Sequence, residues 1–486
     1  MTHAHNTTHP IFADWTTFST ADKPASYIFQ SDARGVLIAH VLCMLAAALL
    51  LLPLVLFPPA TKRLPSRWPA RFLRPALHIA LCLSLIIGVA FASIHRQATE
   101  DLYQHALHRT FGFALVLYVL VTSSLSFVPQ VKALLDKQAP VDADFVPLSQ
   151  LDDMQAGDVS PTGSFASGQS QETLPCFESD GPQGDCHAAA TYTTLQQRAA
   201  RLVENFHKVF LVVTFYAQIL LGLATLGGLF RGHEIYNGLA HWIKASVFFI
   251  FGLWVFLRYL GITASSGMAW NAPHNGTRLL TAEQIECGLI FTYGVLNLFL
   301  ERLGHTKEPI SHTDIQHMSI ALLYACAGGV GLLLESQLLR RLTLSPHSSR
   351  DTRRPVLNIM PLLVTFFTGL LMSQHHQDTE LASTVHAIWG YFFCIASVFR
   401  LLTYLSIFAR PDIMQDTMPS RPPTEALVAF SLVAGALVFM ASSRDAVQSI
   451  EYYDVHTFFV VSLAAAASLC VIVWTCFLTV IMHLST

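Results

Sequence analysis

Four histidines lie near the starts of four consecutive core apolar segments, and imidazoles at such positions can bind a metal. His40 belongs to HVLCM, His78 to LHIALCL, His108 to ALHRTFGF and His207 to ENFHKVFL. Consecutive membrane-spanning helices alternate in direction, so His40 and His108 should lie near one face and His78 and His207 near the other. Two imidazoles from facing helices supply the axial ligands of a haem iron. The spacing therefore predicts two bis-histidine haem sites at two depths.

Transmembrane helices are the elements that must position these residues. The 486-residue chain is 52% hydrophobic and 13% charged, whereas a soluble domain carries about 25% charged residues. The sequence predicts an all-α polytopic membrane protein with about eleven transmembrane helices, most of them close to the ~20 apolar residues that cross a bilayer. They are expected at 36–57, 76–94, 109–129, 205–229, 239–260, 284–302, 315–334, 356–374, 383–408, 425–442 and 456–480. The lipid bilayer is thus the expected partner, and no basic run indicates nucleic-acid binding.

Basic connecting loops indicate the orientation. The first connection, PPATKRLPSRWPARFLRP, is basic without an acid, and the connection 335–355 is also rich in arginine. Cytoplasmic loops carry an excess of Lys and Arg. We therefore expect a lumenal or extracellular N-terminus, a cytoplasmic C-terminus, and His40 with His108 on the lumenal side.

The same patterns divide the chain into four regions. Residues 1–34 are expected to be a polar lumenal leader, and 35–130 with 201–232 a four-helix bundle around the four histidines. Residues 131–200 are rich in Ser, Gly, Pro, Gln and Asp, which is typical of a disordered loop, here cytoplasmic. Residues 233–486 are expected to form a seven-helix membrane domain.

A second set of histidines lies in that C-terminal region beside acidic residues. By the predicted orientation most of these histidines are lumenal, and imidazole with carboxylate suits Fe, Cu or Zn. The predicted ligands come from the adjoining ends of three consecutive helices: His317, His375, His376, His386 and Asp314. The alternative is that these histidines are loop surface or pH sensors of an acidic compartment.

The first four segments resemble the core helices of the ascorbate-reducible transmembrane b-type cytochromes, the cytochrome b-561 family. The resemblance covers roughly 35–130 and 200–230 and rests on HVLCM, LHIALCLSLIIGVA, DLYQHALHRTFGFALVLY and FHKVFLVVTFYAQILLGLATLGG. It implies two b haems, whose ligands are the four histidines paired as above. It also implies that Gly112 leaves room for a flat macrocycle. His105 and His95 remain alternatives on the lumenal side.

The same resemblance implies a cytoplasmic reductant held by basic residues. Arg71, seven residues before His78, can take the place of a lysine expected there. Glu204 stands where the family resemblance leads us to expect an arginine. Because a carboxylate repels an anionic donor, a cytoplasmic reductant other than ascorbate stays open.

The chain as a whole resembles the fungal Ytp family (yeast putative transmembrane protein), through HEIYNGLAHWIK, MSQHHQDTELASTVHAIWGY and the frontal position of the cytochrome-like block. That resemblance implies no mechanism. The predicted function is transmembrane electron transfer through two b haems, with a lumenal metal ion as acceptor, as in a metalloreductase-like oxidoreductase. The alternative is a haem-free transporter or metal-binding membrane protein.

Overall fold

A computed structural model gives the architecture of most of the chain. It describes residues 25–58, 70–103, 106–135, 184–232, 234–263, 281–300, 310–336, 339, 357–375, 377, 379–409 and 422–485. Throughout these residues the regular structure is helical and contains no strand, as predicted.

Thirteen helices are used below. In chain order they are α1 (Tyr27–Gln30), α2 (Arg34–Leu56), α3 (Ala70–Ala98), α4 (Leu107–Leu135), α5 (Gly184–Gly227), α6 (Glu234–Leu260), α7 (Ala282–Leu300), α8 (His312–Glu335), α9 (Met360–Ser373), α10 (Glu380–Ala409), α11 (Pro423–Ala441), α12 (Arg444–Tyr452) and α13 (Thr457–Ser485).

Each of the eleven predicted segments coincides with one of these helices. In the described part of the chain, nine helices are long and apolar enough to cross a membrane. The other two are α9, which has 14 residues, and α7, which carries two glutamates in its first turns. A polytopic membrane protein is therefore confirmed, while the count of eleven stays a prediction.

Helical residues also extend into both ends of the predicted 131–200 loop. Helix α4 continues to Leu135, and α5 already begins at Gly184. Ala, Leu, Gln and Arg in TLQQRAARL favour helix, which explains why α5 is already helical before its apolar run. Residues 136–183 lie outside the described part.

Outward-facing side chains agree with a lipid environment. Phe408 and Phe458 are 80% and 75% exposed, and exposed apolar surface of this kind needs an apolar solvent.

The buried apolar residues form two main clusters. The first lies between α2, α3, α4 and α5 and includes Leu81, Val119 and Phe215. The second lies among α6 to α13, where Trp389 stacks on Phe439 with ring centres 4.2 Å apart. Such an aromatic pair contributes about 0.5–1.5 kcal/mol beyond its buried area.

Helix α2 is widened over residues 47–51. In this stretch it also accepts a hydrogen bond from α13, the last helix of the second group. The N–H of Leu52 bonds to the carbonyl of Ala47, five residues earlier, in a π turn. Pro53 is the cause, because it has no N–H for the carbonyl of Leu49 and its ring crowds that oxygen. The indole nitrogen of Trp474, on α13, donates to the Leu49 carbonyl at 2.9 Å.

The segment before α2 packs across the end of α5. Gly228 has a φ of +70°, and the carbonyl of Ala25 occupies the position where a side chain of residue 228 would begin. The hydroxyl of Tyr27 donates to Asp101 at 3.0 Å. Residues 25–30 therefore lie over the ends of α3 and α5.

Candidate functional site

A cavity of about 480 Å³ lies among α2, α3, α4 and α5. His40 and His108 both line it, with ring centres 6.3 Å apart and ring planes at 80°. Its walls are mostly apolar, and its volume falls within the ~300–1,000 Å³ of small-molecule and cofactor sites. The structure thus brings the first predicted histidine pair together in one cavity.

The separation of the two rings suits a shared metal. Two metal–nitrogen bonds of ~2.0 Å, each extended by ~1.1 Å from the ring nitrogen to its ring centre, would place the ring centres ~6.2 Å apart. The observed distance between His40 and His108 is 6.3 Å. The ring-centre distance therefore agrees with that of an axial pair.

Both rings are oriented by a neighbouring helix through Nδ1. Nδ1 of His40 donates to the carbonyl of Gly88 on α3 at 2.8 Å. Nδ1 of His108 is hydrogen-bonded at 2.9 Å to the side-chain amide of Gln218 on α5, and that amide also donates to the His108 carbonyl. At His40 Nδ1 donates, so Nε2 is left for a ligand, as is usual for a metal-bound histidine. At His108 the amide NH2 of Gln218 donates to Nδ1, so in this arrangement Nε2 carries the ring proton.

Two glycines keep the cavity open next to these rings. A Cβ at Gly222 would lie 3.2 Å from Cε1 of His108. A Cβ at Gly112 would lie 2.6 Å from the amide nitrogen of Gln218. The predicted role of Gly112 was to leave room for a macrocycle, and the structure places it in the cavity wall.

Polar groups surround the mouth of the cavity. Arg109 and Arg96 lie 3.4 and 3.9 Å from the carboxylate of Asp101. Burial raises the pKa of Tyr27 above its ordinary value, and its protonated hydroxyl donates to Asp101. The mouth therefore combines two guanidiniums with one carboxylate.

His95 and His105 are the alternative ligands on the predicted lumenal side. His95 is hydrogen-bonded through Nε2 to Ser31 at 2.9 Å, so that nitrogen is already used. His105 lies outside the described residues.

The second predicted pair has a different environment. Nδ1 of His78 is hydrogen-bonded to Ser123 at 3.1 Å, and Nδ1 of His207 to Tyr118 at 2.8 Å. In the described region His78 makes a ring contact with Phe127, and His207 with Tyr118, rather than with each other. Neither lines the cavity above.

The residues expected to hold a reductant are only partly described. Arg71 lies in the first turn of α3, and its side chain is outside the described part. Glu204 pairs with Lys208 one helical turn away, at 2.7 Å, so its charge is largely balanced locally.

The histidines of the second half form two ring pairs. His317 and His375 lie 5.2 Å apart between ring centres, and His386 lies 5.6 Å from His241. Asp314 closes the capping box at the start of α8 with Ser311, which is a structural role. His376 lies outside the described residues, and within them no group of three or more donors meets metal-site geometry. The predicted metal site is thus untested as a whole.

His241 is the residue that sequence reasoning missed. The predicted orientation places His241 on the lumenal side, but nothing in the sequence pairs it with His386. Both rings use Nδ1 to bond the carbonyl one turn earlier, of Asn237 and Ala382, at 2.8 and 2.9 Å. The sequence carries no signal for this pairing beyond the place of His241 in HEIYNGLAHWIK, one residue before Trp242.

These observations define a polytopic, all-helical integral membrane protein with a histidine-lined cavity between its first long helices. A family model described as "Protein YTP1-like, C-terminal" matches residues 214–483, and a model of a domain of unknown function matches residues 21–132. The chain belongs to the YTP1-like family.

Its relatives are fungal. An uncharacterized membrane protein of Schizosaccharomyces pombe is 30% identical over 92% of this chain and 94% of its own length. An uncharacterized membrane protein of Saccharomyces cerevisiae is 27% identical over 95% of this chain and 84% of its own length. Protein YTP1 of the same yeast is 24% identical over 48% of this chain and 44% of its own length. No solved structure matches the chain.

Proposed function

We propose that the first four long helices carry electrons across the membrane through two b haems. One would be held by His40 and His108, the other by His78 and His207. The observation that carries this proposal is the facing pair of imidazoles, 6.3 Å apart in a largely apolar cavity. The resemblance to the cytochrome b-561 family supports it.

Haem iron supplies reversible one-electron chemistry when it is bound between two imidazoles. The chain's contribution is to hold the imidazoles neutral, fix their rotation and exclude water. Nε2 of His108 can bind iron only if Nδ1 carries the proton. Oε1 of Gln218 is buried and has no hydrogen-bond partner in the described region. A half-turn of that amide would let Oε1 accept the proton of Nδ1, with loss of the hydrogen bond from the amide to the His108 carbonyl.

The mouth of the cavity suits the acidic edge of such a cofactor. Arg96 and Arg109 provide two guanidiniums, and among the described residues that line the cavity Asp101 is the acidic one. Guanidinium–carboxylate pairs are among the stronger hydrogen-bonded contacts. The cavity wall stays apolar, which keeps the imidazoles from water.

The second haem would give the electron its path to the other face. His78 lies 16 residues before Ile94, which is ~24 Å along a helix at 1.5 Å per residue. The two pairs are then separated by roughly 15–20 Å in depth once tilt is included. His78 and His207 make ring contacts with Phe127 and Tyr118, so both rings would have to turn away from these partners to share an iron.

The acceptor we propose is a metal ion on the lumenal side. The supporting observation is that His317 with His375, and His241 with His386, form two close ring pairs in the second bundle. Imidazole binds Fe, Cu and Zn. The same pairs support a second candidate function, a haem-free metal-binding membrane protein or transporter.

The experiment that tests the first function is the visible spectrum of the purified chain, oxidised and reduced. We expect the bands of low-spin bis-histidine b haem at about two haems per chain. His40→Ala and His108→Ala should each remove the same component, and His78→Ala and His207→Ala the other. His95→Ala is the matched control and should spare both, because His95 bonds Ser31. A chain that stays colourless with adequate haem supply contradicts the proposal and leaves the haem-free function.

A further inference from the structure

His241 of α6 and His386 of α10 lie next to each other, and both rings are fixed in the same way. Their ring centres are 5.6 Å apart, with ring planes at 88°. Nδ1 of each ring bonds the carbonyl one helical turn earlier, at 2.8 Å to Asn237 and at 2.9 Å to Ala382. Because a carbonyl oxygen can only accept, Nδ1 carries the proton of each neutral ring. The pair therefore has the tautomer that metal binding through Nε2 requires.

The surroundings of the pair are aromatic. Trp389, three residues after His386, has its ring centre 6.0 Å from that imidazole. Phe439 of α11 stacks on Trp389 and contacts the ring of His241 at 5.6 Å. His386, Trp389 and Phe439 are 2%, 1% and 6% exposed. An ion bound by the two imidazoles would therefore lie beside apolar rings.

The charge of the neighbouring groups favours a monovalent ion. Among the described residues, those that interact electrostatically with His241 are His386, Lys244 and His317, none of which is acidic. Those that do so with His386 are His375 and His317. The cost of placing an ion in an apolar interior rises with the square of its charge. A divalent ion without a carboxylate is thus much more costly here than a monovalent one.

The number of donors points to the same kind of ion. Structural Zn²⁺ is almost always bound by four ligands, and the described residues contain no group of three or more donors that could hold a metal ion. Imidazole also binds copper, and for Cu⁺, a soft closed-shell ion, two imidazoles in a near-linear arrangement are sufficient.

The distance between the rings is close to that of such a two-coordinate ion. Two metal–nitrogen bonds of ~2.0 Å, each extended by ~1.1 Å to the ring centre, would place the ring centres ~6.2 Å apart. The observed 5.6 Å is shorter by about 0.6 Å. A small outward movement of one ring makes up the difference.

We propose that His241 and His386 bind one Cu⁺ ion through their Nε2 atoms. This narrows the metal acceptor to copper and rests on the proposed function for the source of the electron, since Cu²⁺ and one electron give Cu⁺. Both imidazoles keep the proton on Nδ1, so no proton is released from them. Binding of Cu⁺ itself requires no haem.

Anaerobic titration of the full-length chain in lipid nanodiscs with Cu⁺, against bicinchoninate as the competing chelator, tests this. His241→Ala and His386→Ala should each lower the affinity for one Cu⁺ by about 100-fold or more, because even the loss of an outer-shell partner costs roughly 10–100-fold. His312→Ala is the control and should keep this affinity, since His312 is exposed at the start of α8. Copper X-ray absorption of the unmodified chain should show two nitrogen neighbours at about 2 Å.

A third substitution separates copper from other metals and also decides if an alanine variant does not fold. His386→Met replaces an imidazole by a thioether, and soft sulfur ligands select Cu⁺. We expect His386→Met to retain Cu⁺, and an excess of Zn²⁺ not to displace Cu⁺ from the unmodified chain.

Three results would overturn the assignment. They are an unchanged Cu⁺ affinity in both alanine variants, displacement of Cu⁺ by Zn²⁺, and loss of Cu⁺ from folded His386→Met. The visible spectrum distinguishes these from failure of the proposed function. A colourless chain that binds Cu⁺ through His241 and His386 rules out the haems and keeps the copper site. A chain with both haems but without Cu⁺ binding rules out the copper site alone.

Discussion

The contact between Trp474 and the carbonyl of Leu49 should depend on Pro53. Trp474→Phe removes the donor and leaves that carbonyl unpaired where no water replaces it, which costs about 1–3 kcal/mol. In a Pro53→Ala background, residue 53 regains an N–H that can bond Leu49 within the helix. We therefore expect Trp474→Phe to cost about 1 kcal/mol less in that background. Unfolding in mixed micelles with increasing dodecyl sulfate, followed by far-UV circular dichroism, gives the four free energies of the cycle.

A second tryptophan provides the control for this cycle. The indole of Trp242 donates to the carbonyl of Met440 at 2.9 Å, near the end of α11 and away from Pro53. Trp242→Phe should cost the same with and without Pro53→Ala. The contrary outcome is that Trp474→Phe also lowers the free energy of unfolding equally with and without Pro53→Ala, within the ~0.3–0.5 kcal/mol expected of additive sites. In that case Pro53 is not the reason that the Leu49 carbonyl lacks a helix hydrogen bond, and our account of the π turn is wrong.

Two further predictions concern the sites. Gly222→Val should fill the cavity beside His108. In the visible spectrum it should abolish the haem component that His40→Ala removes and leave the other component in place. Retention of both components would contradict the position of the cavity. His317→Ala combined with His375→Ala should lower the metal content of the purified chain, and metal should also be lost in acid, because imidazole binds metal only when neutral. His312→Ala, at the exposed start of α8, is the control, and equal metal loss in both variants by elemental analysis would exclude the His317–His375 pair.

Positions of the helices could be read from the sequence because each is a nearly continuous apolar run. The π turn in α2 could not, since Pro53 alone does not say whether a helix kinks, ends or widens. Pro53 takes away the helix hydrogen bond to Leu49, and the sequence does not show that Trp474 of the last helix then binds this carbonyl. Likewise, the helical start of α5 was obscured by the polar composition of its first turns.

For the site, alternation of helix direction predicted that His40 and His108 share a face, and their rings are adjacent. The partners that orient the rings were not predictable. Gly88 and Gln218 reach His40 and His108 only through the tertiary packing of α3 and α5. The same holds for His241, whose nearness to His386 follows from how α6 crosses α10.

The packing of Ala25 against Gly228 has a consequence for biosynthesis. Residue 25 is synthesised early, but it packs against the end of α5, which is synthesised some two hundred residues later. Tyr27 likewise can form its hydrogen bond only after Asp101 has been synthesised. During insertion of the chain into the membrane, residues 25–30 therefore cannot pack in their final position until α5 has entered the bilayer. A side chain at residue 228 would then block the seating of the segment without hindering insertion of any helix.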